Sequence, residues 1–209
     1  MTEETPEGRP LRGSEHEAFE AVLKEALVAL EESAVDYLLI GGILQASYGR
    51  ARRTHDIDFL VRPEDALIVL EALAKRGFRT EQTDRTWLYK GFLNDVMVDV
   101  IFHSAGGLQL GEEMMHRARR VRLGGRMALV IAPEDLIVIN VAATAEVVPG
   151  HWYDALAILS ETEIDWDYLV HRARHHAARR VLSLLLFAES TDIAVPRRAL
   201  SALAAEVIG

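Results

Sequence analysis

The chain of 209 residues contains no cysteine, which excludes disulfide bonds and thiolate-held zinc from its stability and its chemistry. No stretch approaches the roughly 18 consecutive apolar residues of a membrane span, and the opening MTEETPEGRPLRGSE lacks the basic-then-apolar order of a secretion signal. Positive charge is short as well: 23 Lys and Arg stand against 32 Asp and Glu, for a formal net charge of −9. Affinity for a phosphate backbone rests on clustered cations, so this balance argues against a whole-surface grip on nucleic acid. These absences predict a cytoplasmic protein with no membrane partner. With half its residues hydrophobic and a quarter charged, the composition is that of an ordinary globular domain. The length suits one core with a small appended subdomain, behind a polar lead-in over 1–14 that is expected to be disordered.

What the chain does contain is concentrated in residues 37–61, YLLIGGILQASYGRARRTHDIDFLV. The apolar run 37–40 stops at Gly41-Gly42, as a buried strand does on entering a tight turn. Glycine permits positive φ and lets a phosphate approach the main chain without meeting a Cβ. A helical segment over 43–48 would aim its free N–H groups at the same place. After thirteen intervening residues, 43–55, comes Asp56-Ile57-Asp58-Phe59-Leu60-Val61. Strand periodicity puts Asp56 and Asp58 on one face, with Ile57, Phe59 and Val61 on the other. Carboxylates at i and i+2 repel each other, which fits either a solvated edge strand or a cation site. A third acid favours the cation site. In residues 95–102, DVMVDVIF, Val96, Val98 and Val100 share one face and Asp95, Met97, Asp99 and Ile101 the other. Asp99 is costly in mid-strand unless paired or metal-bound. If this strand lies beside that of Asp56 and Asp58, the three carboxylates can hold two magnesium ions about 3.5–4 Å apart, the arrangement for in-line phosphoryl or nucleotidyl transfer.

At Gly41-Gly42, Asp56-x-Asp58 and Asp99 the sequence resembles the DNA polymerase β-like nucleotidyltransferase superfamily. The wider pattern, Gly-Gly followed by Gly-Arg-x-x-Arg-Thr-x-Asp-Ile-Asp, is similar to its stand-alone prokaryotic branch, which includes toxin–antitoxin nucleotidyltransferases of the AbiEii kind. The resemblance covers about residues 34–132, and less specifically Pro133-Glu134-Asp135-Leu136 and the closing helices. It implies an α+β fold: a mixed β-sheet core over 15–132 with helices on one face, then a helical cap over 133–209. It further implies transfer of an NMP from an NTP to a hydroxyl acceptor on RNA, a protein or a small molecule such as an aminoglycoside, with release of pyrophosphate. In that reading Asp56, Asp58 and Asp99 hold two Mg2+ ions, Gly41 and Gly42 cradle the NTP phosphates, and Arg53 and Thr54 belong to the active-site loop. The chain departs from the branch at Asn140, where a Lys is expected, and at His151 and Asp154, where two acids are expected. These departures favour an alternative, a catalytically weak or inactive binding or regulatory protein such as a toxin–antitoxin component.

Elsewhere the patterning predicts a helix over 15–33 with Ser14 as N-cap and Glu17 closing a capping box. A helix over 63–76 is expected to bury Leu67, Leu70, Leu73 and Ala74, ahead of strands over 78–92 that turn at 82–85. A short helix over 107–118 and a hairpin turning at Gly124-Gly125 follow. Helices are predicted over 133–145, 152–160, 166–175, 179–189 and 197–208. His103, ending the strand of Asp99, is within reach of the site or simply a surface residue. His171, His175 and His176 with Arg172, Arg174, Arg179 and Arg180 form the one concentrated basic segment, read as a solvated face or as an acceptor patch. The i, i+4 pair His171 and His175 lacks a third metal ligand at sensible spacing.

Overall fold

A computed structural model of the chain describes residues 13–49, 54–144 and 150–209. The expected lead-in over 1–14 lies outside the described residues up to position 12. Its last two residues already belong to the first helix, α1, Gly13–Ser33, so Ser14 sits in the opening turn and not at the cap. Val22, Leu23, Ala26, Leu27 and Leu30 of α1 are buried, at the spacing of one helical face.

Among the described residues seven strands form a single mixed sheet in the order β3-β4-β5-β2-β1-β7-β6. They are β1 Tyr37–Ile40, β2 Asp56–Val61, β3 Arg79–Asp84, β4 Leu88–Leu93, β5 Val96–Ile101, β6 Arg119–Leu123 and β7 Arg126–Val130. β2 pairs antiparallel with β1 and parallel with β5. All four residues of β1 are buried, as befits a strand inside a sheet. The expected turn at 82–85 forms slightly later. The Asp84 carboxylate accepts hydrogen bonds from the Thr86 N–H at 2.8 Å and the Trp87 indole N–H at 3.1 Å, an Asx-type turn that ends β3. Asn94 and Asp95 both take positive φ between β4 and β5, which places Asp95 in a two-residue hairpin turn and starts the Asp99 strand at Val96.

Helix α2, Gln45–Tyr48, follows β1, and α3, Ala66–Lys75, follows β2. The buried side of α3 is Ala66, Val69, Leu70 and Leu73, while Leu67 is exposed. Both α1 and α3 lie against the sheet at β5. Gly91, opposite Val98, faces Leu73 and Phe78, so the Val98 side of the sheet carries α3. Alternation then turns Asp56, Asp58 and Asp99 to the opposite face.

After α4, Glu112–Arg117, and the β6–β7 hairpin, the rest of the described chain is helical. α5 Pro133–Ala143, α6 Gly150–Glu161, α7 Trp166–His176, α8 Ala178–Ser190 and α9 Arg197–Ile208 match the predicted segments within a few residues. α5 is buried continuously from Pro133 to Val141, as a helix enclosed on all sides must be, and α6, α7 and α8 pack on it. No described helix is long and apolar enough to cross a membrane.

Candidate active site

The site forms where β1 ends and β2 begins. Gly41 has φ 75° and ψ −157°, a combination open essentially to glycine alone. A Cβ placed there would lie 1.9 Å from Asp58 Oδ2. The group pressed against the missing Cβ of Gly41 is therefore the Asp58 carboxylate. Gly42 opens a 3-10 turn, Gly42–Leu44, that leads into α2. Asp58 stands opposite Ile40 on one side and opposite Asp99 on the other. Strand pairing thus brings together Asp58 and Asp99, forty-one positions apart in the sequence, with Asp56 two residues away on the same face.

The neighbours of the acids are specific. Thr54 Oγ1 donates to the Asp56 carboxylate and lies 3.3 Å from the Asp56 carbonyl, which orients the first acid. Arg53 lies outside the described residues. Lys90, directly opposite Asp99 on β4, donates from Nζ to Asp99 Oδ1 at 2.8 Å and sits 3.0 Å from Met97 Sδ. Both members of the pair are largely buried, with side-chain exposures of 18% for Lys90 and 13% for Asp99. Burial pushes the Asp99 pKa above the usual carboxylate range. Lys90 pulls the other way without overcoming it, and the charge of Asp56 adds to the rise. Sequence reasoning missed Lys90; the available signal was a lone cation at the centre of the strand LYKGFL.

The residues fit in part the magnesium that the sequence resemblance led one to expect. Asp56 and Asp58 offer hard carboxylate oxygens on one face, and the absent Cβ of Gly41 makes the space the second of them occupies. Asp99 is already engaged by an ammonium group. Among the described residues no three His, Asp or Glu side chains are grouped closely enough to hold one ion.

The other candidates lie elsewhere. His103 lies two residues past the end of β5, and its Nδ1 is buried with no hydrogen-bond partner among the described residues. His171 Nε2 lies 3.3 Å from Glu113 Oε2 and its ring packs edge-on against His175. Arg172 reaches inward, its Nε donating to Asp135 Oδ1 at 2.6 Å. Arg180 donates from Nη1 to the carbonyls of Val141, Ala142 and Thr144 at 2.8–3.0 Å. The segment read as one basic patch is thus divided between surface pairs and internal ties. Asn140 is buried, and its Nδ2 has no hydrogen-bond partner among the described residues. Asp154 is buried on α6. A cavity of about 420 Å³, lined by His116, Arg117, Arg119, Glu134, Glu163 and Asp165 among others, opens beside α4 and α5 and includes none of the three acids.

Two acids at i and i+2, a third registered beside them and a glycine turn next to the second are the features by which the sequence resembles nucleotidyltransferases. The chain belongs to a family of uncharacterised nucleotidyltransferases, whose sequence profile matches residues 14–190. Among solved structures, the antibiotic-resistance factor ANT(2'')-Ia shares 15% identity at a TM-score of 0.52, covering 83% of this chain and 97% of its own. An antigenic nucleotidyltransferase-like protein from Paracoccidioides brasiliensis shares 14% identity at a TM-score of 0.52, over 88% of this chain and 94% of its own. These likenesses concern the fold. No curated protein matches the sequence.

Proposed function

We propose that the chain is a divalent-cation-dependent nucleotidyltransferase that moves an NMP from an NTP to a hydroxyl group on an RNA end, a protein or a small molecule. The observation that carries this reading is the register that sets Asp99 beside Asp58, with Asp56 on the same face. Asp56 and Asp58 hold the cation, which neutralises triphosphate charge when bound. Thr54 fixes Asp56, and the backbone at Gly41 and Gly42 borders the triphosphate. Asp99, whose proton affinity burial raises, takes the proton of the attacking hydroxyl. The hydroxyl oxygen then bonds to the α-phosphorus as the bond to pyrophosphate breaks. Such reactions need alignment and charge neutralisation more than a covalent partner. Arg53 is assigned to the same loop by the resemblance of its motif. Placement in the AbiEii-like branch rests on the same spacing and is part of the proposal.

A second reading, a regulatory module that binds nucleotide without turnover, is favoured by Asn140 at the position where the branch carries a Lys. Calorimetric titration of the four NTPs with and without Mg2+, into wild type and an Asp56→Ala/Asp58→Ala variant, tests the site. Magnesium-dependent binding that the variant loses supports both readings, and pyrophosphate release with an acceptor then selects the enzyme. No binding to the wild type would sink the proposal.

A further inference from the structure

We infer that the arginines of the edge strand β6, Arg119, Arg120 and Arg122, form a binding strip for the phosphodiester backbone of a single-stranded nucleic acid. The strip works without nucleotide or cation. It goes beyond the proposed transfer reaction by naming a polymer that the chain holds.

Residues 116–126, HRARRVRLGGR, contain five arginines, one histidine and no acid, in a chain whose net charge is −9. The structure separates these cations by what they touch. At the ends of the run, Arg117 pairs with Asp165 at 2.6 Å and Arg126 pairs with Glu31. Between them Arg119, Arg120 and Arg122 are exposed, and among the described residues their side chains make no hydrogen bond or ion pair. Arg119 lies over the Tyr48 ring, 5.5 Å from its centroid. The cations of 171–180 differ, since Arg172 and Arg180 are engaged in internal ties. Of the acids lining the cavity beside Arg119, Asp165 is paired with Arg117 and Glu134 accepts the Asp165 N–H. That leaves Glu163 to compete with a phosphate at one end of the strip.

An edge strand needs charge to prevent pairing with other chains, and the opposite edge shows what protection alone requires. β3 mixes signs: Arg79 lies 3.6 Å from Glu81 and stacks over Phe92 at 4.2 Å. β6 carries one sign throughout. Protection asks for charge but not for unpaired like charges side by side, which repel one another until a polyanion neutralises them. The planar fork of arginine matches the oxygens of a phosphate. With no aromatic side chain on β6 to stack a base, the contact is with the backbone and carries no sequence preference. Register sets its direction. Arg119 opposes Val130, which pairs with Leu39, and the next residue, Ile40, opposes Asp58. Alternation therefore turns Arg120 and Arg122 to the face that carries the acids, three strands from Asp58 or roughly 14 Å.

The test is fluorescence anisotropy of a labelled single-stranded RNA of about 20 nucleotides with the full chain, without Mg2+ or NTP, across a salt series. Wild type is expected to bind. Arg119→Gln/Arg120→Gln/Arg122→Gln is expected to bind about tenfold more weakly in low salt, with the slope of log K against log salt shallower by about 2, at about 0.7 per lost phosphate contact. Its side chains are exposed, so an unchanged Tm shows that the loss is not unfolding. Arg197→Gln/Arg198→Gln, which removes exposed charge from the start of α9, should change affinity by less than about twofold. Equal affinity in the triple variant, an equal loss in the α9 variant, or no binding by wild type each overturns the inference. So does binding to anionic phospholipid vesicles in preference to RNA, which would make the strip a membrane contact. A DNA strand of the same sequence separates the two sources of the backbone: equal binding supports a strip for either polymer, and tighter binding of one names it. Asp56→Ala/Asp58→Ala should bind RNA at least as tightly as wild type, so a failure of the proposed reaction and a failure of the strip are read separately.

Discussion

Single residues at the site are constrained by space as much as by charge. Gly41→Ala must accept positive φ and also set a methyl group where Asp58 Oδ2 now lies, 1.9 Å from the ideal Cβ position. Backbone strain of this kind costs about 1–3 kcal/mol, so a lower denaturant midpoint is expected in urea unfolding. Nucleotide binding should fall further than stability does, because Asp58 is the group displaced. Asp165 illustrates charge at a helix start. Its carboxylate accepts from the Tyr168 N–H at 3.1 Å as N-cap of α7, and pairs with Arg117 at 2.6 Å. Hydrogen bonding from Arg117, then from the Tyr168 backbone, holds its pKa below the usual carboxylate range. A depressed carboxylate stabilises the fold above its unfolded pKa, and that contribution is lost as pH falls through the folded pKa. Asp165→Ala should therefore cost about 1 kcal/mol at neutral pH, or about 2–4 °C in Tm for a chain of this size. Thermal melts should show the difference from wild type closing as the pH falls below the usual carboxylate range.

Among the elements, α5 carries the helical layer, and its C-terminus is finished by another helix. The last carbonyls of a helix have no partners within it. Arg180 of α8 reaches those of Val141, Ala142 and Thr144. One cation thus caps α5 and fixes α8 against it. Arg180→Met keeps the aliphatic stem and removes the donors, and a loss of about 1–3 kcal/mol is expected for charge-assisted bonds. Chemical denaturation measures the loss. Hydrogen exchange should localise it, with faster exchange at the end of α5 and little change in the sheet. The same element shows where periodicity fails as a guide. A helix that is apolar on every side has no preferred face, and only its neighbours reveal that Asp135 and Asn140 point into the protein.

At the scale of the whole molecule, the helical layer is tied to α5 through a buried charge. Asp135 is fully buried, accepting from the Tyr168 hydroxyl at 2.7 Å and from Arg172 Nε at 2.6 Å. Burial raises its pKa despite Arg172. The folded state therefore binds this proton more tightly than the unfolded chain, and the contribution of Asp135 to stability declines as pH rises from the usual carboxylate range through its raised folded value. Arg172→Met leaves the carboxylate buried without its cation, which costs about 3–5 kcal/mol at neutral pH. The deficit should shrink on acidification as Asp135 takes up its proton, in contrast to the Asp165 series. Much of this architecture was legible beforehand. The Gly-Gly turn, the Asp-x-Asp strand, the β6–β7 hairpin and the closing helices follow from local rules, because propensity, turn chemistry and side-chain alternation act over a few residues. Those rules also placed Asp56 and Asp58 on one face without reference to any other strand. Which strand lies next to which is different, since pairing joins distant segments and their order depends on the packing of the whole sheet. Only the tertiary structure decided that Asp99 stands beside Asp58, that Asp58 fills the space at Gly41, and that Lys90 from a third strand supplies the countercharge of Asp99.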